Sequence, residues 1–133
     1  MVTIDIDKLL AAASAVRERA YAPYSHFAVG AAALGSDGRV YVGTNVENAS
    51  YGLSLCAERS AVAAAVAGGA SEILAVAVIA DRPVSPCGAC LQVIAEMGPT
   101  ATVAWGDGTG GYDVAELGEL LTKPFRLERG EGR

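Results

Sequence analysis

The fold is decided by residues 55–99, LCAERSAVAAAVAGGASEILAVAVIADRPVSPCGACLQVIAEMGP. The alanine-rich stretch at 55–67 predicts a helix that ends at Gly68-Gly69, because glycine readily adopts the backbone conformations that close helices. The apolar run ILAVAVIA, residues 73–80, predicts a strand that is buried on both faces. A proline-containing loop follows, and residues 87–97 predict a second helix. This helix–strand–helix order is typical of α/β proteins.

The flanking sequence adds elements on both sides of this segment. Helical spacing of apolar residues predicts a helix near the start, and Ser36-Asp37-Gly38 between two β-rich runs predicts a hairpin. The added elements are helices over 5–20 and 115–121, and strands over 28–35, 39–46, 102–105 and near Tyr112. Because strands alternate with helices, we expect a mainly parallel sheet with helices on both faces and an antiparallel hairpin at its start.

The amino-acid composition excludes several classes of protein. The 133 residues are 52% hydrophobic and 19% charged, with a formal net charge of −5, and they contain no linker, repeat or charge block. We therefore expect one domain over residues 1–133. The hydrophobic content excludes disorder, and the alanine-rich uncharged run at 61–70 is far shorter than the roughly 20 residues of a membrane span. The acidic balance argues against nucleic acid as a partner, since binding to phosphates requires basic residues.

Two further expectations concern location and assembly. The start, MVTIDIDKLL, has two aspartates and no basic region of the kind found in secretory signals, so we expect a cytoplasmic protein without a membrane partner. A hydrophobic fraction this high in so small a chain favours burial of surface against copies of itself.

The three cysteines favour a metal site or catalysis over a disulfide framework, because their number is odd. Ser54 and Ser85 each precede a cysteine by two residues, so we expect them to be N-caps, with Cys56 and Cys87 in the first turns of two helices. Cys87 and Cys90 then share one helical face, at a spacing that suits tetrahedral zinc. Three thiolates would leave zinc one open position, which is the pattern of a catalytic site.

A carboxylate and a guanidinium accompany the first cysteine. Glu58 follows Cys56 by two residues and could move a proton to and from a water molecule beside the metal. Its side chain converges with Cys56 only if Cys56 lies at the very start of its helix. Arg59 comes next and could offset the negative charge of three thiolates.

Less specific interpretations remain open for these residues. The cysteines could form a structural zinc site with His26, the single histidine, or Cys87 and Cys90 could be a redox pair. Glu58 and Arg59 could be solvated helix residues. Four other motif residues also have purely structural interpretations, as packing or turn residues: Tyr24, Phe27, Asn45 and Glu47.

The motifs together resemble the zinc-dependent cytidine deaminases. The matching residues are Cys-Ala-Glu at 56–58, Pro-Cys-Gly-Ala-Cys at 86–90, Tyr-Ser-His-Phe at 24–27 with Val29-Gly30, and Asn-Val-Glu-Asn-Ala-Ser-Tyr-Gly at 45–52. Cysteine rather than histidine at position 56 is similar to the small homotetrameric branch of that family. The resemblance implies a three-layer α/β/α sandwich with a mixed five-stranded sheet.

The resemblance also implies roles for individual residues. It makes Cys56, Cys87 and Cys90 the ligands of one Zn²⁺ per subunit and Glu58 the proton shuttle. Asn45 and Glu47 resemble the residues that bind the ribose 3′-hydroxyl, and Phe27 resembles the aromatic residue that packs on the base. The main chain at Ala57 resembles the group that holds the pyrimidine carbonyl, and the resemblance places Ser85 near the amino group. Three residues resemble those that reach a neighbouring subunit's site: Ala49, Tyr51 and Phe125.

The implied reaction is hydrolytic deamination of cytidine and deoxycytidine to uridine and deoxyuridine plus ammonia, a step of pyrimidine salvage. Deamination of another aminopyrimidine, such as a nucleoside antibiotic or a nucleotide, is the alternative among enzymes. A nucleotide would require a basic phosphate site that the charge balance does not suggest. A non-catalytic, zinc-stabilised binding module is the alternative from another class. Ammonia release by the zinc-loaded protein distinguishes the enzymes from the binding module.

Overall fold

The computed structural model describes residues 1–130. Its helices and strands are, in chain order, α1 (Ile6–Arg17), β1 (Gly30–Gly35), β2 (Val40–Thr44), α2 (Ala57–Ala67), β3 (Ile73–Ile79), α3 (Gly88–Met97), β4 (Thr102–Gly106), β5 (Tyr112–Glu116) and α4 (Leu117–Leu120). A short 3₁₀ helix, Tyr51–Leu53, lies between β2 and α2. Each predicted helix and strand is present. No helix within residues 1–130 is long and apolar enough to cross a membrane.

The five strands form one mixed sheet in the order β2-β1-β3-β4-β5. Among the pairings in the described residues, β3 with β4 is parallel and the other three are antiparallel. The prediction of a mainly parallel sheet is therefore wrong, whereas the mixed five-stranded sheet implied by the family resemblance is confirmed. The reason is that β1 lies between β2 and β3 and runs antiparallel to both. The connection through α2 makes β2 and β3 run in the same direction without making them neighbours.

Helices cover both faces of the sheet, as the three-layer sandwich requires. On one face, α1 packs through Leu9 and Ala13 against side chains of β1, β3 and β4. On the other face, α2, α3 and α4 pack against the alternate side chains of the same strands, which include Ala31, Val76 and Val103. All residues of β1 are buried. Small side chains in this strand allow helices to approach the sheet closely on both faces.

The beginnings of α2 and α3 position the cysteines. Helix α2 starts at Ala57 and α3 at Gly88, so Cys56 and Cys87 are the N-cap residues and neither side chain makes a capping hydrogen bond. The prediction that Ser54 and Ser85 are N-caps is wrong by two residues. Ser54 instead closes the preceding 3₁₀ helix through its N–H, and its Oγ accepts a hydrogen bond from the main-chain N–H of Asn48 at 3.1 Å.

Candidate active site

Three sulfurs from two helix starts form a cluster. The Sγ atoms of Cys56, Cys87 and Cys90 all lie within 4.8 Å of one another, and those of Cys87 and Cys90 are 3.4 Å apart. Since α2 and α3 pack on the same face of the sheet, their N-termini bring together cysteines that are more than thirty positions apart in sequence. His26 is not part of this cluster. The arrangement therefore matches three sulfur ligands and not the Cys₃His interpretation.

The electrostatics of the cluster favour a thiolate. A hydrogen bond from the Cys90 thiol lowers the pKa of Cys56, and the nearby Arg59 guanidinium lowers it further, with Nη2 3.4 Å from the Cys56 Sγ. The same sulfur–sulfur contact raises the pKa of Cys90. Thiolates are the form of cysteine that binds metals. The donor set thus fits zinc, which prefers sulfur and nitrogen ligands at tetrahedral angles.

Glu58 is buried beside this cluster. It lies in the first turn of α2, is 6% exposed, and is the one charged residue in the buried core of the described chain. Burial raises the pKa of its carboxyl to about 6. The interpretation of Glu58 as a solvated helix residue is therefore wrong. Because Cys56 has an extended backbone as the N-cap, Cys56 and Glu58 are not on opposite sides of one helix and both line the same pocket.

That pocket has a volume of about 350 Å³. It contains the three cysteines and Glu58 together with most of the other sequence-predicted site residues, namely Phe27, Asn45, Glu47, Tyr51, Ala57 and Ser85. Sequence reasoning missed Ser25, Val29, Ser54, Leu55, Val78 and Val84, which also line it. Ser25 and Val29 belong to the motifs that carry the family resemblance, so their place in the pocket could have been predicted from those motifs. Val78 is a buried strand residue, and no motif indicates that it lines the pocket.

Asn45 and Glu47 are held by the segment that precedes β1. The Asn45 side chain donates to the Phe27 carbonyl at 2.8 Å and accepts from the Val29 N–H at 2.9 Å. The Glu47 carboxylate accepts from the main-chain N–H groups of Tyr24 at 3.0 Å and Ser25 at 3.2 Å, and from the Ser25 hydroxyl. Both polar side chains are thus oriented by hydrogen bonds before any ligand binds.

Two residues predicted to reach a neighbouring subunit lie outside this pocket. Ala49 is exposed and Phe125 is 69% exposed. The main chain of Phe125 is fixed to the side chain of Gln92 by two hydrogen bonds of 2.8 and 2.9 Å. Tyr51 lines the pocket and is nevertheless 77% exposed. Their roles in a neighbouring subunit stay predictions.

A mixed sheet between helical layers, with three sulfurs and a buried carboxyl in one pocket, is the arrangement of an α/β protein with a catalytic type of zinc site. Residues 4–106 match the family described as "Cytidine and deoxycytidylate deaminase zinc-binding region". The cytidine deaminase of Halalkalibacterium halodurans is 48% identical over 128 residues, which cover 94% of this chain and 97% of that protein.

Solved structures agree with these sequence matches. The cytidine deaminase of Burkholderia pseudomallei superposes with a TM-score of 0.86 at 47% identity, covering 92% of this chain and all of that one. For the enzyme of Mycobacterium tuberculosis the TM-score is 0.82 at 42% identity, with 94% and 100% covered. The chain belongs to the zinc-dependent cytidine deaminase family. It is a hydrolase, and zinc is its cofactor.

Proposed function

We propose that this enzyme deaminates both cytidine and deoxycytidine, yielding uridine or deoxyuridine and ammonia, and that it serves pyrimidine salvage. The single observation that carries the proposal is the buried Glu58 carboxyl in one pocket with three metal-binding sulfurs and the polar pair Asn45 and Glu47. The relatives named above are cytidine deaminases by name, which supports the nucleoside substrate.

In this proposal Cys56, Cys87 and Cys90 hold the zinc ion. The bound metal supplies Lewis acidity, which makes a water molecule more acidic. Arg59 contacts the Cys56 sulfur and offsets part of the negative charge of the ligand set.

Glu58 moves the protons of the reaction. It takes one proton from the attacking water and delivers it to N3 of the pyrimidine ring as the water oxygen bonds to C4. It then takes the second proton from that C4 hydroxyl, as the C4 carbonyl forms, and gives it to the amino group, whose bond to C4 breaks to release ammonia. Burial raises the pKa of Glu58 to about 6, so the carboxyl can both accept and donate protons near neutral pH. The net change is addition of one water molecule and loss of one ammonia molecule.

Other pocket residues orient the substrate. Phe27 packs on the base, and the N–H of Ala57, in the first turn of α2, donates to the pyrimidine carbonyl because helix starts leave N–H groups without intrahelical partners. Ser85 lies near the exocyclic amino group. Glu47 and Asn45 bind the ribose 3′-hydroxyl, and their existing hydrogen bonds reduce the entropy lost when the sugar binds.

We further propose a homotetramer of single-domain subunits in which Ala49, Tyr51 and Phe125 complete the site of a neighbour. Support comes from large apolar side chains that are exposed in the segments that supply pocket residues: Tyr21, Tyr24, Tyr51, Leu53 and Leu55. The cytoplasmic location stays a prediction of the sequence.

The test is a direct absorbance assay of cytidine deamination with protein of measured zinc content. Cytidine and deoxycytidine are compared with cytosine, CMP and adenosine, and ammonia is quantified in parallel. We expect uridine and ammonia in equal amounts, with both nucleosides far better substrates than the other three. Rapid turnover of CMP or cytosine, with slow turnover of cytidine, would contradict the proposed specificity. Zinc-loaded protein that releases no ammonia would contradict the reaction itself.

A further inference from the structure

The turn before β1 contains two residues that line the pocket, Ser25 and Phe27. The His26 N–H donates to the Ala22 carbonyl at 2.9 Å, and His26 has a φ of 59°, which non-glycine residues rarely adopt. This backbone conformation occurs next to Phe27, whose side chain lines the pocket. A residue conformation of this kind persists only where the surroundings hold it in place.

Ser25 joins this turn to Glu47 through both its hydroxyl and its main-chain N–H. Its hydroxyl donates to Oε2 of Glu47, and its main-chain N–H donates to Oε1 of the same carboxylate at 3.2 Å. The hydroxyl oxygen also accepts the main-chain N–H of Phe27 at 3.0 Å. A single hydroxyl therefore joins the carboxylate of Glu47 to the backbone that carries Phe27.

The carboxylate keeps room for a ligand. An ionised carboxylate has about four acceptor positions, and the two N–H groups and the hydroxyl occupy three of them. The hydrogen bond from Ser25 also lowers the pKa of Glu47, because it stabilises the charged form of the carboxylate. Both oxygens are restrained and Glu47 lines the pocket, so the remaining acceptor position is available to a ligand there.

We propose that Ser25 is a positioning residue for the nucleoside, whose hydroxyl holds the Glu47 carboxylate in the orientation that accepts the sugar hydroxyl. The inference rests on the proposed function, since it assumes that Glu47 binds the ribose 3′-hydroxyl. Ser25 itself need not touch the reacting atoms. Its loss therefore weakens nucleoside binding and leaves the chemical step intact.

The experiment compares Ser25→Ala with Ser25→Thr, which retains the hydroxyl, and with Ser71→Ala as a matched control. Ser71 bonds only the exposed hydroxyl of Ser36 among the described side chains and does not line the pocket. Steady-state kinetics are measured on zinc-loaded proteins with cytidine and with 3′-deoxycytidine. Each Ser25 substitution is also made in a Glu47→Ala background.

For Ser25→Ala we expect KM for cytidine to rise about tenfold, because the Glu47 carboxylate loses the charge-assisted hydrogen bond that orients it toward the sugar. We expect kcat to stay within about twofold of wild type, because this hydrogen bond takes no part in the chemical step. KM for 3′-deoxycytidine, and KM for cytidine in the Glu47→Ala background, should change less than about twofold on the same substitution. Ser25→Thr and Ser71→Ala should behave like wild type.

Several results would overturn the proposal. A Ser25→Ala effect that persists undiminished without Glu47, or that is equal for 3′-deoxycytidine, would show that Ser25 acts on something other than the carboxylate. A fall in kcat with unchanged KM, or a Ser25→Thr variant as impaired as Ser25→Ala, would do the same. Wild-type protein that is inert toward cytidine would overturn the proposed function itself, whereas the results above would overturn only the role of Ser25 in an active enzyme. The two failures are therefore distinguishable.

Discussion

Replacing Gly43 with alanine tests how closely α2 is seated on the sheet. Gly43 lies in β2, and a Cβ built there would be 2.4 Å from the Ala61 nitrogen and 2.7 Å from the Ala57 oxygen. Ordinary Cβ contacts begin near 3.4 Å, so α2 must retreat by about 1 Å. Both atoms belong to the helix backbone and cannot rotate away. Ala57 is the first residue of α2, so the displacement occurs beside Cys56 and Glu58.

The expected effect has two parts. Overpacking of a core typically costs about 1–3 kcal/mol, and we expect about 3 kcal/mol here because the obstructing atoms are main chain. For a domain of this size the melting temperature should fall by roughly 10 °C. A shift of about 1 Å in a catalytic group can reduce turnover by about 10²-fold, so Gly43→Ala should also be nearly inactive well below its melting temperature.

The assay is thermal denaturation of zinc-loaded protein together with initial rates of cytidine deamination at a temperature where both proteins are folded. Gly118→Ala is the matched control, because Gly118 lies in α4 and a Cβ added there would meet no neighbouring atom within 4 Å. This control should gain up to about 1 kcal/mol of stability through reduced chain entropy and keep its activity. A Gly43→Ala protein with wild-type melting and turnover would refute the close docking of α2.

Four further predictions concern the site and the assembly. Glu58→Gln should keep its fold and one zinc per chain but lose at least about 10²-fold in turnover, because glutamine cannot transfer a proton; more than about a tenth of wild-type activity would contradict the role of Glu58. Cys87→Ala should lose zinc by metal analysis and melt at lower temperature, since ligand loss couples to folding; full zinc content would exclude Cys87 as a ligand. Asn45→Ala should raise KM for cytidine and lower stability by about 1–3 kcal/mol, because it leaves main-chain groups of Phe27 and Val29 unpaired; unchanged melting would contradict those hydrogen bonds. Light scattering of the active enzyme should give a tetramer, and a fully active monomer would contradict the shared sites.

The order of helices and strands could be predicted from sequence because it depends on local patterns. Helical periodicity, apolar runs and glycine or proline boundaries are properties of short segments. The N-caps were misplaced because serine is a favoured cap wherever it occurs, whereas Cys56 and Cys87 take these positions here without capping hydrogen bonds. Ser54 bonds a residue six positions earlier, and local propensity contains no information about that partner.

By itself, the sequence determined the chemistry of this protein. Three cysteines, one of them followed by Ala-Glu, define a soft donor set with a carboxyl beside it, and the spacing of the motifs led to the family that the comparisons then showed. These features can be deduced from the sequence alone, because ligand type and proton transfer depend on which side chains are present. The individual roles of the pocket residues remain proposals.

Only the tertiary structure decided the sheet topology, the burial of Glu58 and the hydrogen bonds around Glu47. A crossover helix sets the direction of the next strand but not its neighbour, so the insertion of β1 between β2 and β3 could not be predicted from the pattern. The raised pKa of Glu58 comes from its burial in the packed chain. The link from Ser25 to Glu47 joins residues twenty-two positions apart, and it exists because the turn before β1 folds against the segment after β2. Each of these features depends on contacts between distant segments, which form only when the whole chain packs.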